Sequence, residues 1–217
     1  IYFKNNNMSF LILVRHGQSI WNLEKRFTGW VDVELTEEGK LEAEKAGLLI
    51  KNKNIKIDFY YSSLQLRANN TLEIIQKILN NKKNFVRAWQ LNERHYGSLT
   101  GLNKDEMKKR IGEDKVHEFR RSWDIKPEPL KKESPYHPIN ITTYKEVPKE
   151  MMPDSESLKD TYERVLKYFN EEIKEKLKSK NILISAHGNS IRALCKNLFK
   201  LDNDQISYLE IPTGNPL

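Results

Sequence analysis

Two histidines, His16 and His187, each follow a short apolar run and precede a glycine, in Arg15-His16-Gly17-Gln18-Ser19 and Ala186-His187-Gly188-Asn189-Ser190. A histidine at the carboxyl end of a buried strand points into the crevice where open α/β sheets bind ligands. The glycine lets the backbone turn sharply beside it. A lone Arg-His-Gly fits a strand-end histidine satisfied by a backbone carbonyl equally well, and the second copy moves the balance toward chemistry. Asn189 or Ser190 is expected to cap the helix after His187, whose exposed amides favour an anion. Arg67 follows a second strand candidate and Glu93 a third. In a parallel sheet the carboxyl ends lie on one edge, so chain order alone predicts that His16, Arg67, Glu93 and His187 converge.

These residue types suit phosphate. A guanidinium grips phosphate oxygens in a bidentate fork and does not titrate away. A neutral imidazole is a competent nucleophile near pH 7 and can pass a phosphoryl group onward. Phosphoryl transfer needs positioning and charge neutralisation above all. Two arginines, a second histidine and a helix N-terminus supply these without a metal. Glu93 is the carboxylate available as proton partner for an attacking or departing hydroxyl. No HxxxH or CxxC pattern surrounds the histidines, and Arg15 would repel a cation, so no metal is expected.

The elements that must position these groups can be read from periodicity. Phe10–Val14 is a short continuous apolar run, as for a strand buried on both faces, and Asn181–Ala186 is another strand. Ile57–Tyr61 and Phe85–Trp89 are further strand candidates, and Ser207–Ile211 a fifth. Helical spacing is expected from Thr36 to about Lys51, with Leu41, Leu48 and Leu49 among its apolar positions. It recurs over Leu64–Leu79, after a capping box of Asn103 and Glu106, from Ser155 to about Lys178, and over Ile191–Phe199. Strands alternating with such helices predict an α/β fold: a mostly parallel central sheet with helices on both faces. Ile125–Pro153 holds six of the eight prolines and is expected to be a long irregular insertion over the site.

Length and composition set bounds. The 217 residues fit one ordinary α/β domain, and the one cysteine, Cys195, allows no internal disulfide and suits a reducing, cytoplasmic setting. Cys195 falls on an apolar helix face and reads as core. The net charge of +7 permits acidic ligands, nucleic acid or an anionic membrane surface. No apolar run approaches the roughly 20 residues of a membrane span. The lysines are scattered, and no RNP-like aromatic sheet or zinc knuckle is present, so neither nucleic acid nor membrane is the expected partner. Ile1–Asn7 precedes Met8 and reads as a leader.

LVRHGQSIWN (13–22), RFTGW (26–30), LNERHYGSLTGLNK (91–104), FRRSWD (119–124), SESLKDT (155–161), AHGNSIRAL (186–194) and IPTGNPL (211–217) together resemble the 2,3-bisphosphoglycerate-dependent phosphoglycerate mutases of the histidine phosphatase superfamily. The resemblance implies a single mutase-like domain over 8–217, with 125–153 as the insertion. It implies that His16 is the phosphorylated nucleophile, that Arg15, Arg67 and His187 surround the transferring phosphoryl group, and that Glu93 is the acid/base. Asn22, Gly188 and Asn189 would add hydrogen bonds. Thr28, Gly29, Arg94, Tyr96, Lys104, Arg120 and Arg121 would bind the carboxylate and second phosphate. The implied reaction interconverts 3- and 2-phosphoglycerate, with 2,3-bisphosphoglycerate as primer, in a cytoplasmic homodimer or homotetramer. Phosphatase or bisphosphoglycerate synthase activity on the same scaffold is the alternative. Mutases of this kind continue past the IPTG segment into a covering tail; absence of such a tail would leave the site more open to water, which favours hydrolysis. His95 is expected to be structural, His117 and His137 surface or loop residues, and Trp21, Trp30, Trp89 and Trp123 packing residues.

Overall fold

A computed structural model describes residues 9–217, so the leader lies outside the described residues. Four strands, β1 (Leu11–Arg15), β2 (Phe59–Ser62), β3 (Val86–Arg87) and β4 (Ile182–Ala186), form one sheet in the order β1-β4-β2-β3. Every pairing is parallel, with Arg15 beside Ala186 and Ser62 beside Ser185. The helices are α1 (Ile20–Leu23), α2 (Glu37–Asn52), α3 (Leu66–Ile78), α4 (Lys104–Ile111), α5 (Glu113–Arg121), α6 (Leu158–Tyr168), α7 (Lys174–Leu177), α8 (Gly188–Leu198) and α9 (Asn203–Tyr208).

The apolar runs of β1 and β4 are continuous because both sheet faces are covered. Ile12, Val14, Tyr60 and Leu183 face Ala46 and Ile50 of α2 and Leu72 and Ile75 of α3. Leu13, Tyr61, Ile182 and Ile184 face Val165 and Leu166 of α6 and Ile191, Leu194 and Cys195 of α8. Side chains alternate between the two clusters with the period of two that a strand imposes.

Several expectations need correction. Ser207–Ile211 is not a strand: Asp202 accepts from Gln205 N–H at 2.7 Å and Gln205 returns the bond, starting α9 instead. The strand after Phe85 shrinks to Val86–Arg87, both exposed at the sheet edge. In α2, Leu41, Leu48 and Leu49 face outward, whereas Ala43, Ala46, Gly47 and Ile50 are buried. Small residues let α3 approach so closely that a Cβ at Gly47 would lie 2.9 Å from Ile78 Cβ. α4 starts as expected at Asn103, whose side chain accepts from Asp105 and Glu106 N–H. His187 itself occupies the cap position of α8, with Asn189 and Ser190 already in its first turn. The long helix starts at Leu158, capped by Ser157 in a reciprocal bond with Asp160, and runs through a π turn at Phe169–Ile173 into α7.

Ile125–Pro153 contains three short 3₁₀ turns, at Pro138–Asn140, Thr142–Tyr144 and Lys149–Met151. His137, expected at the surface, is 1% exposed and pairs its Nε2 with Asp154 Oδ1 at 2.8 Å. Buried Tyr144 packs on Trp30 and donates to the Trp30 carbonyl. The last residues lie along β1: Leu13 and Leu217 exchange two backbone hydrogen bonds of 3.1 and 2.9 Å, and Gly214 N–H reaches Arg15 O.

Candidate active site

β1 and β4 are neighbours in register, so the residues that follow them are neighbours too. His16 N–H donates to Ala186 O at 3.0 Å, and the rings of His16 and His187 lie 4.9 Å apart. The turn after β1 is tight. A Cβ on Gly17 would sit 2.0 Å from the carbonyl oxygen of Gly39, so only glycine fits. That turn leaves His16 Nδ1 2.7 Å from Gly17 O. A carbonyl only accepts, so Nδ1 carries the proton and the lone pair lies on Nε2. Burial, with Arg67 and Arg15 alongside, holds His16 well below the usual histidine range, so the ring is neutral.

Arg67, in the first turn of α3, donates from Nε to His16 Nε2 at 3.3 Å. Its Nη1 and Nη2 donate to the carbonyls of Val31 and Gly29, each at 2.9 Å. The guanidinium is 1% exposed and fixed from three sides. Arg15 donates to Ile211 O at 2.6 Å, while its buried Nε has no protein partner. His187 pairs its Nε2 with Ser63 Oγ at 2.7 Å, and its Nδ1 has no partner. Burial first, then Arg67, His16 and Arg15, hold His187 well below the usual range as well.

Glu93 arrives from the loop after β3. Its Oε1 accepts from Arg94 N–H at 2.8 Å and from Asn189 N–H, at the start of α8, at 3.2 Å. That loop is fixed from behind. Gln65 Oε1 accepts from Glu93 N–H, and Arg164 donates to the carbonyls of Gln90, Asn92 and Glu93. The four groups placed after four strand ends therefore meet.

They meet at one open cavity. Arg15, His16, Asn22, Thr28, Gly29, Arg67 and Glu93 line it, as do Tyr96, Lys104, Arg120, Arg121, Gly188 and Asn189. His187 and Arg94 do not line the surface: both are fully buried, His187 against His16 and Arg94 with Nη2 on Phe119 O at 2.5 Å. Arg94 Nε and Nη1 have no partner, and the guanidinium lies 4.8 Å from the Tyr96 ring centre. None of the lining residues belongs to Ile125–Pro153.

Three lining residues carry no assignment from the sequence: Arg26, Arg192 and Glu210. Arg26 stands in the RFTGW motif and Arg192 one turn after Asn189, which are readable signals. Glu210 gives none. The potential inside is strongly positive. Burial opposes a phenolate, yet Arg94, Arg120 and Lys104 pull the Tyr96 hydroxyl below its ordinary value. Burial, with Arg120 and Arg15 and against Tyr96, pushes the Lys104 ammonium down to about 8. The orphaned Nε of Arg15 and Oγ1 of Thr28, both on lining residues, are costly in a dry site and suit a ligand with several anionic oxygens. Among the described residues, no group of three or more His, Cys, Asp or Glu gathers as a metal site would require.

Comparison with known proteins agrees with this geometry. Residues 11–215 match the family described as histidine phosphatase superfamily (branch 1). The chain is 71% identical to a 2,3-bisphosphoglycerate-dependent phosphoglycerate mutase of Pelagibacter ubique (strain HTCC1062), over 97% of this chain and 89% of that protein. A mutase of the same name from Hydrogenobaculum sp. (strain Y04AAS1) is 47% identical over 97% of this chain and 86% of its own length. Among solved structures, a putative α-ribazole-5'-P phosphatase of Escherichia coli superposes with a TM-score of 0.69 at 17% identity, over 96% of this chain and 88% of the other. A mycobacterial glucosyl-3-phosphoglycerate phosphatase superposes at 0.68 and 21% identity, over 95% and 88%. At such identities the structural likeness concerns the fold alone.

Proposed function

The chain belongs to the histidine phosphatase superfamily, and from that premise we infer that it interconverts 3-phosphoglycerate and 2-phosphoglycerate through a phosphohistidine at His16. The observation that carries this reading is the tautomer of His16: Nδ1–H held by Gly17 O, and the Nε2 lone pair facing Arg67. A neutral buried imidazole with its free lone pair against a guanidinium is prepared to attack phosphorus.

In this reading Nε2 of His16 forms a bond to phosphorus as the ester P–O bond breaks. Arg15, Arg67 and the α8 N-terminus, which starts at Gly188, neutralise the equatorial oxygens, with His187 beside them. Glu93 exchanges the proton of the departing or attacking hydroxyl, using Oε2 because both backbone bonds fall on Oε1. Asn22, Gly188 and Asn189 add hydrogen bonds around the transferring group, and Thr28, Gly29, Arg94, Tyr96, Lys104, Arg120 and Arg121 hold the carboxylate and the second phosphate. 2,3-Bisphosphoglycerate, when bound, supplies the phosphoryl group that charges His16, and no metal takes part. The unpartnered Nε of Arg15 and the cation-lined cavity fit such a primer. The protein works as one domain over 8–217 in the cytoplasm, as a homodimer or homotetramer.

Intact mass after incubation with 2,3-bisphosphoglycerate tests the central step. One phosphoryl group is expected on the wild type and none on His16→Ala, with mutase turnover lost as well. Phosphate release with negligible isomerisation would move the assignment to a phosphatase.

A further inference from the structure

The cations around the cavity fall into two sets. Arg15, Arg67, Lys104 and Arg120 form no ion pair among the described residues, which leaves their charge for a ligand. Arg26, Arg121 and Arg192 are already paired. Arg26 meets Glu24 at 2.6 Å, Arg121 meets Glu210 Oε1 at 2.5 Å, and Arg192 lies 3.7 Å from Glu210 Oε2. Glu210 and Glu93 are the two carboxylates on the wall, and Glu93 is held by backbone amides.

The two partners of Glu210 differ in how they are held. Arg192 also donates to Leu209 O and Asn189 Oδ1, so it stays in place without the carboxylate. Arg121 has Glu210 as its one side-chain hydrogen-bond partner among the described residues. The Arg121 side chain is 11% exposed and that of Glu210 is 70% exposed. By exposure, the arginine side chain is the packed member of the pair and the carboxylate the solvent-facing, movable one.

We propose that Glu210 is an affinity-setting residue: a resident counter-anion on Arg121 that the outer anionic group of a two-ended ligand must displace. This rests on the reading that Arg120 and Arg121 receive the group remote from His16. An exposed ion pair is weak, so a phosphate offering several charged oxygens to a guanidinium displaces it. The returning carboxylate then competes for Arg121 and speeds departure of the ligand. A one-ended anion held by Arg15, Arg67 and His16 never meets Glu210, so its affinity is independent of it.

The test is Glu210→Gln, with binding of 2,3-bisphosphoglycerate and of inorganic sulfate followed by calorimetry. Bisphosphoglycerate is expected to bind about twofold to fivefold tighter to the variant, the range an exposed pair allows. Sulfate affinity is expected to stay the same, and both KM and kcat to fall as release slows. On an Arg121→Gln background the same replacement is expected to gain nothing. Unchanged or weaker binding by Glu210→Gln would overturn the proposal, since Glu210 would then merely order Arg121. A gain that survives removal of Arg121 would overturn it too, as a general charge effect. A wild type that fails to bind bisphosphoglycerate would count instead against the proposed reaction.

Discussion

The Nε–H of Arg67 points at the Nε2 lone pair of His16 across 3.3 Å, so the resting nucleophile is covered by the guanidinium that must later hold the group it attacks. At that length the contact is weak. Arg67 cannot follow His16, because the carbonyls of Gly29 and Val31 fix its other two nitrogens. An arriving phosphoryl group therefore exchanges one long hydrogen bond for charge-assisted ones, with little rearrangement of protein.

Arg67→Lys keeps the charge and loses the fork. Phosphorylation of His16, followed by rapid quench, is expected to slow by about 10²–10³-fold, the usual cost of one preorganised donor. A rate within a few-fold of wild type would assign Arg67 a purely structural role.

The ammonium of Lys104 titrates near the working range. Below about 8 it is charged and attracts an anion, and above that it goes neutral. KM for phosphoglycerate is therefore expected to rise as pH passes about 8, with proton uptake on binding when calorimetry is repeated in buffers of different ionisation heat. Between about 8 and the ordinary value of 10.5 the unfolded chain binds this proton more than the folded one does. The same group thus adds stability to the ligand-free protein as pH climbs through that window and takes it away as pH falls back to about 8. Lys104→Arg is expected to remove both effects.

Acid acts through the buried histidines. Burial first, then Arg67 and Arg15, depress His16; burial first, then Arg67 and His16, depress His187; and burial first, then His137, brings His95 to about 3. The unfolded chain takes up these protons near 6.5, so their stabilisation is complete above that pH and erodes as pH falls toward the folded values. Tm should drop steadily from pH 6.5 toward 4. A flat profile there would mean that one or more of these rings is already charged in the folded protein.

Arg164 anchors the Glu93 loop from behind through three carbonyls, and Glu156 neutralises it at 2.6 Å with both side chains under 10% exposed. Glu156→Gln strands a buried guanidinium and is expected to cost about 3–5 kcal/mol in denaturant unfolding. Arg164→Lys is expected to lower kcat more than it changes KM, because it loosens the carbonyl of the proton-exchanging residue. An unchanged kcat would separate this anchor from the chemistry.

The sheet and its catalytic edge were legible because β1 and β4 are both mainly apolar strands followed by the same His-Gly turn. Arrangements that depend on tertiary packing were harder to see. The exposed leucines of α2 read as a core face, but the close approach at Gly47 selects its small residues instead. His137 looked like a loop residue until Asp154, far along the chain, supplied its partner. Asp202 and Gln205 are a readable capping pair that the alternation in Ser207–Ile211 obscured. Glu210 carried no local signal, since its role depends on Arg121 reaching it from α5.

The strand order has a consequence for biosynthesis. β1 leaves the ribosome before the other strands, yet its sheet neighbour β4 follows about 170 residues later, and its outer edge is closed by the segment around Leu217, later still. At roughly 5–20 residues per second, β1 waits about ten to thirty seconds for a partner. Until then His16 has no Ala186 carbonyl to fix its backbone and no His187 beside its ring. The phosphate pocket thus cannot form until β4 and the turn that carries His187 have been made, and a nascent chain cannot bind its ligand before then.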